Sequence, residues 1–289
     1  MILAHNSSVT MHCNLLTDIR IARETGYDGM EIWGSKLYRY LDQGFSIESV
    51  REHLGDLRVV GVGYVQDIER QEAGEVDALF QECERMCLTA AALGCDQVEL
   101  LTGPRHPVVD PNQLGYRGLM GRPWSEIRDL TARNIAALAD IAAKHGLKVY
   151  LEGLSWTPVH ELGQVLEVID GAERENVGFV VDFWHLWTSG TTPGELAKVD
   201  RRLIAGVHFC DSLPKLGDGP WTLAERNVRT GGGQIPLKEW VDAVLSTGYE
   251  GWWACELLSP RQWELDPFQT ARELRELLST MVAGRGEGL

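Results

Sequence analysis

One motif recurs along the chain: a helix closed by glycine, then a short apolar run with an acidic residue at or near its far end. Glu24-Thr25-Gly26-Tyr27-Asp28-Gly29-Met30-Glu31 is matched by Ser246-Thr247-Gly248-Tyr249-Glu250-Gly251-Trp252-Trp253, with Glu256 soon after. Ala91-Ala92-Leu93-Gly94-Cys95-Asp96-Gln97-Val98-Glu99 is a looser copy, and Lys144-His145-Gly146-Leu147-Lys148-Val149-Tyr150-Leu151-Glu152 is a fourth. Glycine just past a helix end adopts the left-handed backbone that terminates it. Self-similarity at this scale means stacked supersecondary units.

Short apolar runs, read as strands, fall near 2–6, 28–33, 58–64, 96–101, 148–152, 178–182, 204–208 and 252–256. Helical patterns lie between them, near 14–25, 46–54, 73–93, 124–145, 158–170, 194–200 and 236–246, with a last one near 267–282. Alternating β and α units with apolar strands argue for a parallel sheet. A doubly wound open sheet is the competing architecture. Eight units and the repeats favour a closed (β/α)8 TIM barrel, a fold of about 250 residues. The expected organisation is one domain over 1–282, with a frayed Gly-rich tail at 283–289. Hydrophobic residues at 44% and charged residues at 24% exclude a disordered or fibrous chain.

The formal net charge of −15 disfavours a nucleic-acid or anionic-membrane partner, both of which need a basic footprint. No apolar run approaches a membrane span. The N-terminus shows neither the basic nor the long apolar region of a leader. The six cysteines include no CxxC and read as buried thiols of a reducing cytoplasm.

Two connections are long, 102–123 after the fourth strand and 209–235 after the seventh. Long loops in a compact domain are usually functional, and both leave strand C-termini, where barrel active sites are built. Four consecutive strands also finish on a metal-type donor: Leu151-Glu152, Val181-Asp182, Val207-His208 and Cys255-Glu256. Singly, each is ordinary, because an ionic residue after an apolar strand often marks only its surfacing. The signal is the set. In a barrel, Glu152, Asp182, His208 and Glu256 point into one mouth. Three carboxylates and an imidazole favour one divalent ion, Mn²⁺ foremost, with Mg²⁺ or Co²⁺ as alternatives.

These motifs resemble the xylose-isomerase-like superfamily of sugar-phosphate isomerases and epimerases. The resemblance rests on Gly26-Tyr27-Asp28-Gly29-Met30-Glu31, Leu151-Glu152, Val181-Asp182-Phe183-Trp184-His185 and Val207-His208-Phe209-Cys210-Asp211. It continues through Gly231-Gly232-Gly233-Gln234-Ile235-Pro236 and Gly248-Tyr249-Glu250-Gly251 leading to Glu256. The ordered set spans nearly the whole chain. It implies metal ligation by Glu152, Asp182, His208 and Glu256, with Glu152 and Glu256 also serving as the acid/base pair of ketose 3-epimerases. It implies substrate binding by His185. Such epimerases carry an arginine just before the Gly-x-Gly loop; here Asn227 occupies that place, flanked by Arg226 and Arg229. Those two arginines and Asp211 join the substrate-binding candidates. Family members are often dimers or tetramers, which implies a homo-oligomer without identifying an interface.

A divalent ion chelating a carbonyl and its neighbouring hydroxyl stabilises an enediolate while one carboxylate removes the α-proton. Return of the proton on the other face epimerises, and return to the neighbouring carbon isomerises. Loss of a β-hydroxyl dehydrates, as in inosose and dehydroshikimate dehydratases. The expected substrate is a small keto-sugar, sugar phosphate or cyclitol. A non-catalytic sugar-binding or partner subunit is the remaining alternative. Glu31 is a candidate for a substrate hydroxyl, and Trp33 and Trp156 for the apolar face of a ring. Arg105 and His106 read as solvated loop charge. A Schiff-base aldolase lacks its strand-end lysine, since Lys148 begins its strand and Lys36 falls in a loop. Endonuclease IV chemistry lacks its additional histidines.

Overall fold

The computed structural model describes residues 1–106 and 118–283. Eight strands close in sequence order into an all-parallel barrel. They are β1 (Ile2–Asn6), β2 (Gly29–Trp33), β3 (Arg58–Val65), β4 (Gln97–Leu101), β5 (Lys148–Glu152), β6 (Val177–Asp182), β7 (Ile204–Phe209) and β8 (Trp252–Cys255). Ile2 pairs with Trp252 across the closure. The helices, in chain order, are α1 (Leu15–Glu24), α2 (Gly34–Leu41), α3 (Ile47–Leu54), α4 (Ala73–Ala92), α5 (Trp124–Ala143), α6 (Leu162–Ala172), α7 (Phe183–Thr188), α8 (Pro193–Leu196), α9 (Leu237–Ser246), α10 (Pro260–Trp263) and α11 (Pro267–Ala283).

The expected strands agree with these to within one residue at each end. The short α2, α7 and α10 were not anticipated, because one or two turns show no helical period. Lys36, expected in a loop, sits in α2 and is buried against Asp18 at 2.7 Å. The glycines of the repeat do what their position requires. Gly26, Gly94, Gly146 and Gly248 have φ of +79°, +75°, +71° and +82°, ending α1, α4, α5 and α9. Of the expected tail, Ala283 is the last residue of α11, and 284–289 lie outside the described residues.

Strand side chains alternate between the barrel interior and the helix shell. Inside, Ala4, Val60, Tyr150, Val180, Trp252 and Ala254 form a separate apolar layer. Gly206 leaves the room that Trp252 fills, since a Cβ there would lie 1.9 Å from the indole. Two residues further along their strands come Asn6, Glu152, Asp182 and Glu256, joined by Glu31 and His208. The period that packs the core therefore also delivers a buried polar layer to the C-terminal mouth.

Candidate metal centre and active site

The ligand atoms of Glu152, Asp182, His208 and Glu256 all lie within 4.8 Å of one another, and all four residues are buried. Asp182 pairs with His208 in strand register. His208 Nδ1 faces Glu152 Oε1 at 3.1 Å and Asp182 Oδ2 at 3.7 Å. Its Nε2 donates to Glu31 Oε2 at 2.9 Å. Asp182 also caps α7, accepting the His185 backbone N–H at 2.6 Å, and the Cys210 thiol lies 3.4 Å from its Oδ2. Three buried carboxylates around one imidazole repel one another unless a cation lies among them. The hard oxygen donors and single nitrogen fit a divalent ion.

Arg226 is buried beside them. Its Nη2 donates to Glu256 and lies 3.8 Å from Asp182, while Nη1 is 3.5 Å from His185 Nε2. The guanidinium stacks over Trp184 at 5.0 Å. Burial pushes the Glu256 carboxyl up to about 7, with Arg226 opposing and Glu152 adding to the rise. Burial disfavours the His208 imidazolium, but the surrounding carboxylates, Glu31 first, outweigh it and hold the ring well above the usual histidine range. Burial lowers the His185 pKa. Its Nδ1 lies 3.0 Å from the Ser155 backbone nitrogen. Arg226 Nη1 can only donate, so a neutral His185 accepts from the Ser155 N–H at Nδ1 or from Arg226 at Nε2, one of the two.

The structure brings Glu152, Asp182, His208, Glu256, His185 and Arg226 together, with Trp156 edge-on to His185 at 5.2 Å. Trp33 packs edge-on to Tyr64 at 6.1 Å. Three candidates have protein partners of their own. Glu31, expected to meet a substrate hydroxyl, is spent on His208, Asn6 (2.5 Å) and Tyr150 (2.6 Å). Arg229 turns outward to Glu273 at 3.0 Å. Asp211 holds the glycine loop, accepting the N–H groups of Gly231, Gly233, Ile235 and Ser212. Asn227 ties that loop to Ser259 and Arg261.

Sequence reasoning missed Glu99 and Tyr150. Glu99 is buried in the same polar layer, and burial together with the Glu31 and Glu152 charges raises its carboxyl well above the usual range. Its acidic place in the looser repeat was the available signal. Tyr150 reaches Glu31 from the apolar layer because Gly61 has no side chain; a Cβ there would lie 2.5 Å from its hydroxyl.

A family model described as xylose isomerase-like TIM barrel matches residues 19–281. The chain belongs to that family. It is 26% identical to an inosose isomerase of Halalkalibacterium halodurans, over 98% of this chain and 97% of the relative. It is 22% identical to a 3-dehydroshikimate dehydratase of Bacillus anthracis, over 67% of this chain and 65% of the relative. In structure it resembles the IolI protein with a bound zinc atom, at TM-score 0.87, 22% identity and full coverage of both chains. No helix among the described residues is long and apolar enough to cross a membrane.

Proposed function

We propose that the chain is a divalent-metal-dependent isomerase or epimerase of a small keto-sugar or cyclitol, held at the mouth of the barrel. The observation that carries this is the buried cluster of Glu152, Asp182, His208 and Glu256. The named relatives support it: isomerases of inososes, and dehydratases on the same fold. Glu152, Asp182, His208 and Glu256 would hold the ion, Mn²⁺ by the character of the donor set. When bound, it supplies Lewis-acid polarisation of the substrate carbonyl.

The protein's own groups do the rest. Glu152 and Glu256 leave β5 and β8, separated around the mouth by β6 and β7, and serve as the carboxylates that take and return the α-proton. Arg226 holds Glu256 in place and, beside His185, presents its remaining N–H groups to substrate oxygens. Trp156 and Trp184 shield His185 from water on two sides. The six free cysteines fit a reducing cytoplasm.

Proton NMR in D₂O tests this reading with a panel of ketoses, inososes and dehydroshikimate. Deuterium should enter α to the carbonyl, and the product formed separates epimerase, isomerase and dehydratase. Glu152→Gln should slow exchange by about 10²–10⁴-fold. Full exchange by that variant with metal retained would remove the acid/base assignment.

A further inference from the structure

We infer that the mouth takes an electrically neutral substrate and rejects phosphorylated or carboxylated ones, with Asp211 as a specificity-determining residue. This rests on the isomerase or epimerase reading above.

The first support is the charge of the polar layer. Glu31, Glu99, Glu152, Asp182 and Glu256 place five carboxyl groups there. Among the described residues the buried Lys and Arg side chains are Lys36 and Arg226. Lys36 is committed to Asp18 and to the carbonyls of Ser7 and Thr10. Arg226 is committed to Glu256. One divalent ion and Arg226 supply three positive charges beside five carboxyl groups, so a second anion brought into the layer faces an excess of carboxyl groups over cations. A hydroxylated neutral ring instead offers donors to carboxylate oxygens.

The second support is independent of that count. Barrel enzymes frequently bind phosphate on backbone N–H groups of the loops after β7 and β8, and successive amides in a tight turn form an anion cradle. Here the glycine loop after β7 has that shape, but an internal anion fills it. Asp211 Oδ2 accepts from Gly231 N at 3.0 Å and Gly233 N at 2.8 Å. Its Oδ1 accepts from Ile235 N at 3.1 Å and Ser212 N at 2.8 Å. The fit is close: a Cβ on Gly233 would lie 2.3 Å from Oδ1. Asp211 is itself 4% exposed, so the cradle is sealed as well as filled. Among the described residues, Arg229 pairs with Glu273 outside the mouth, and Arg105 lies against Gln66 and the Tyr64 ring.

A unit charge about 6 Å from an uncompensated carboxylate, at an effective dielectric of about 20, is worth about 100-fold in binding. Two measurements on the Mg²⁺-loaded protein test the inference. In D₂O, a neutral ketose should exchange with kcat/KM at least about 100-fold above its phosphate ester, and an inosose above dehydroshikimate by the same margin. In a titration with inorganic phosphate, the amide resonances of Gly231, Gly233 and Ile235 should stay fixed in the wild type. They should move in Asp211→Ser, where the cradle is open. Comparable exchange of an anionic compound, or movement of those wild-type amides, overturns the inference. Absence of exchange with every compound refutes the isomerase or epimerase reading instead, and the phosphate titration of the wild type still decides this one.

Discussion

Replacing Glu31 by glutamine tests whether the carboxylate behind His208 sets the affinity of the metal centre. Glu31 accepts three hydrogen bonds: from His208 Nε2 and Asn6 Nδ2 on Oε2, and from the Tyr150 hydroxyl on Oε1. With Nε2–H committed to Glu31, His208 keeps Nδ1 as the nitrogen that faces Glu152 and Asp182 and would ligate an ion. An amide has one acceptor atom where the carboxylate has two. If its oxygen keeps His208 and Asn6, its NH₂ confronts Tyr150, which is fully buried and has Glu31 as its hydrogen-bond acceptor. If it flips, the NH₂ confronts two donors, and the His208 proton is driven to the nitrogen that should ligate.

Either arrangement strands a buried donor, at about 1–3 kcal/mol. A partner that orients a metal-ligating histidine is typically worth about 10–100-fold in metal affinity. Glu31→Gln should therefore raise the Mn²⁺ dissociation constant by that factor in a chelator-buffered titration. The metal-free protein should remain folded, with a melting temperature lower by roughly 5 °C. Tyr150→Phe removes one donor but keeps the Glu31–His208 bond, so its affinity should change by less than about threefold. Wild-type affinity in a folded Glu31→Gln would show that this carboxylate does not set the His208 tautomer.

Three further outcomes are expected. Burial pushes Glu69 up to about 8 from an ordinary 4.5, so the folded state holds its proton more tightly than the unfolded state. The resulting stability is fully present below about 4.5 and is lost as the pH rises through about 8. Glu69→Gln should be the more stable protein at pH 9, on the order of a few kcal/mol, and the two should converge at pH 5 in urea unfolding. Chelation should lower the melting temperature by roughly 5–10 °C relative to protein with metal at about 100 times its dissociation constant; an unchanged melting curve would count against a metal centre. Gly206→Ala puts a methyl 1.9 Å from the Trp252 ring. It should destabilise the fold by about 3 kcal/mol and, because Trp252 leans on His208 at 5.8 Å, weaken metal binding too.

What was legible in the sequence, and what was not, follows from the range of the interactions. The barrel was readable because its punctuation is local. Gly26, Gly94, Gly146 and Gly248 each end a helix through their own backbone angle, and each strand after them is a short apolar run. The clustering of Glu152, Asp182, His208 and Glu256 was readable for a related reason. In a parallel barrel the strands end on one rim, so corresponding donors at four consecutive strand ends are neighbours before any register is known. The destinations of Glu31 and Tyr150 were not readable. They meet because a glycine of β3, Gly61, leaves space inside the barrel, and because the pairing of β2 with β3 shifts between Met30 and Glu31. Neither fact has a local signature.

The loop after β7 shows the same limit from the other side. Arg226 and Arg229 stand three residues apart in a segment with no period, and sequence gives them equal claim to the substrate. The structure separates them through distant partners: Glu256 after β8 takes Arg226 into the mouth, and Glu273 on α11 holds Arg229 outside it. Asp211 fixes the choice by gathering the amides of Gly231, Gly233 and Ile235 onto one carboxylate. Asp211, a substrate-binding candidate in the sequence, thus shapes the loop that carries Arg226 into the mouth. Neutralising it as Asp211→Asn should therefore disturb Arg226 placement and catalysis before it disturbs the barrel.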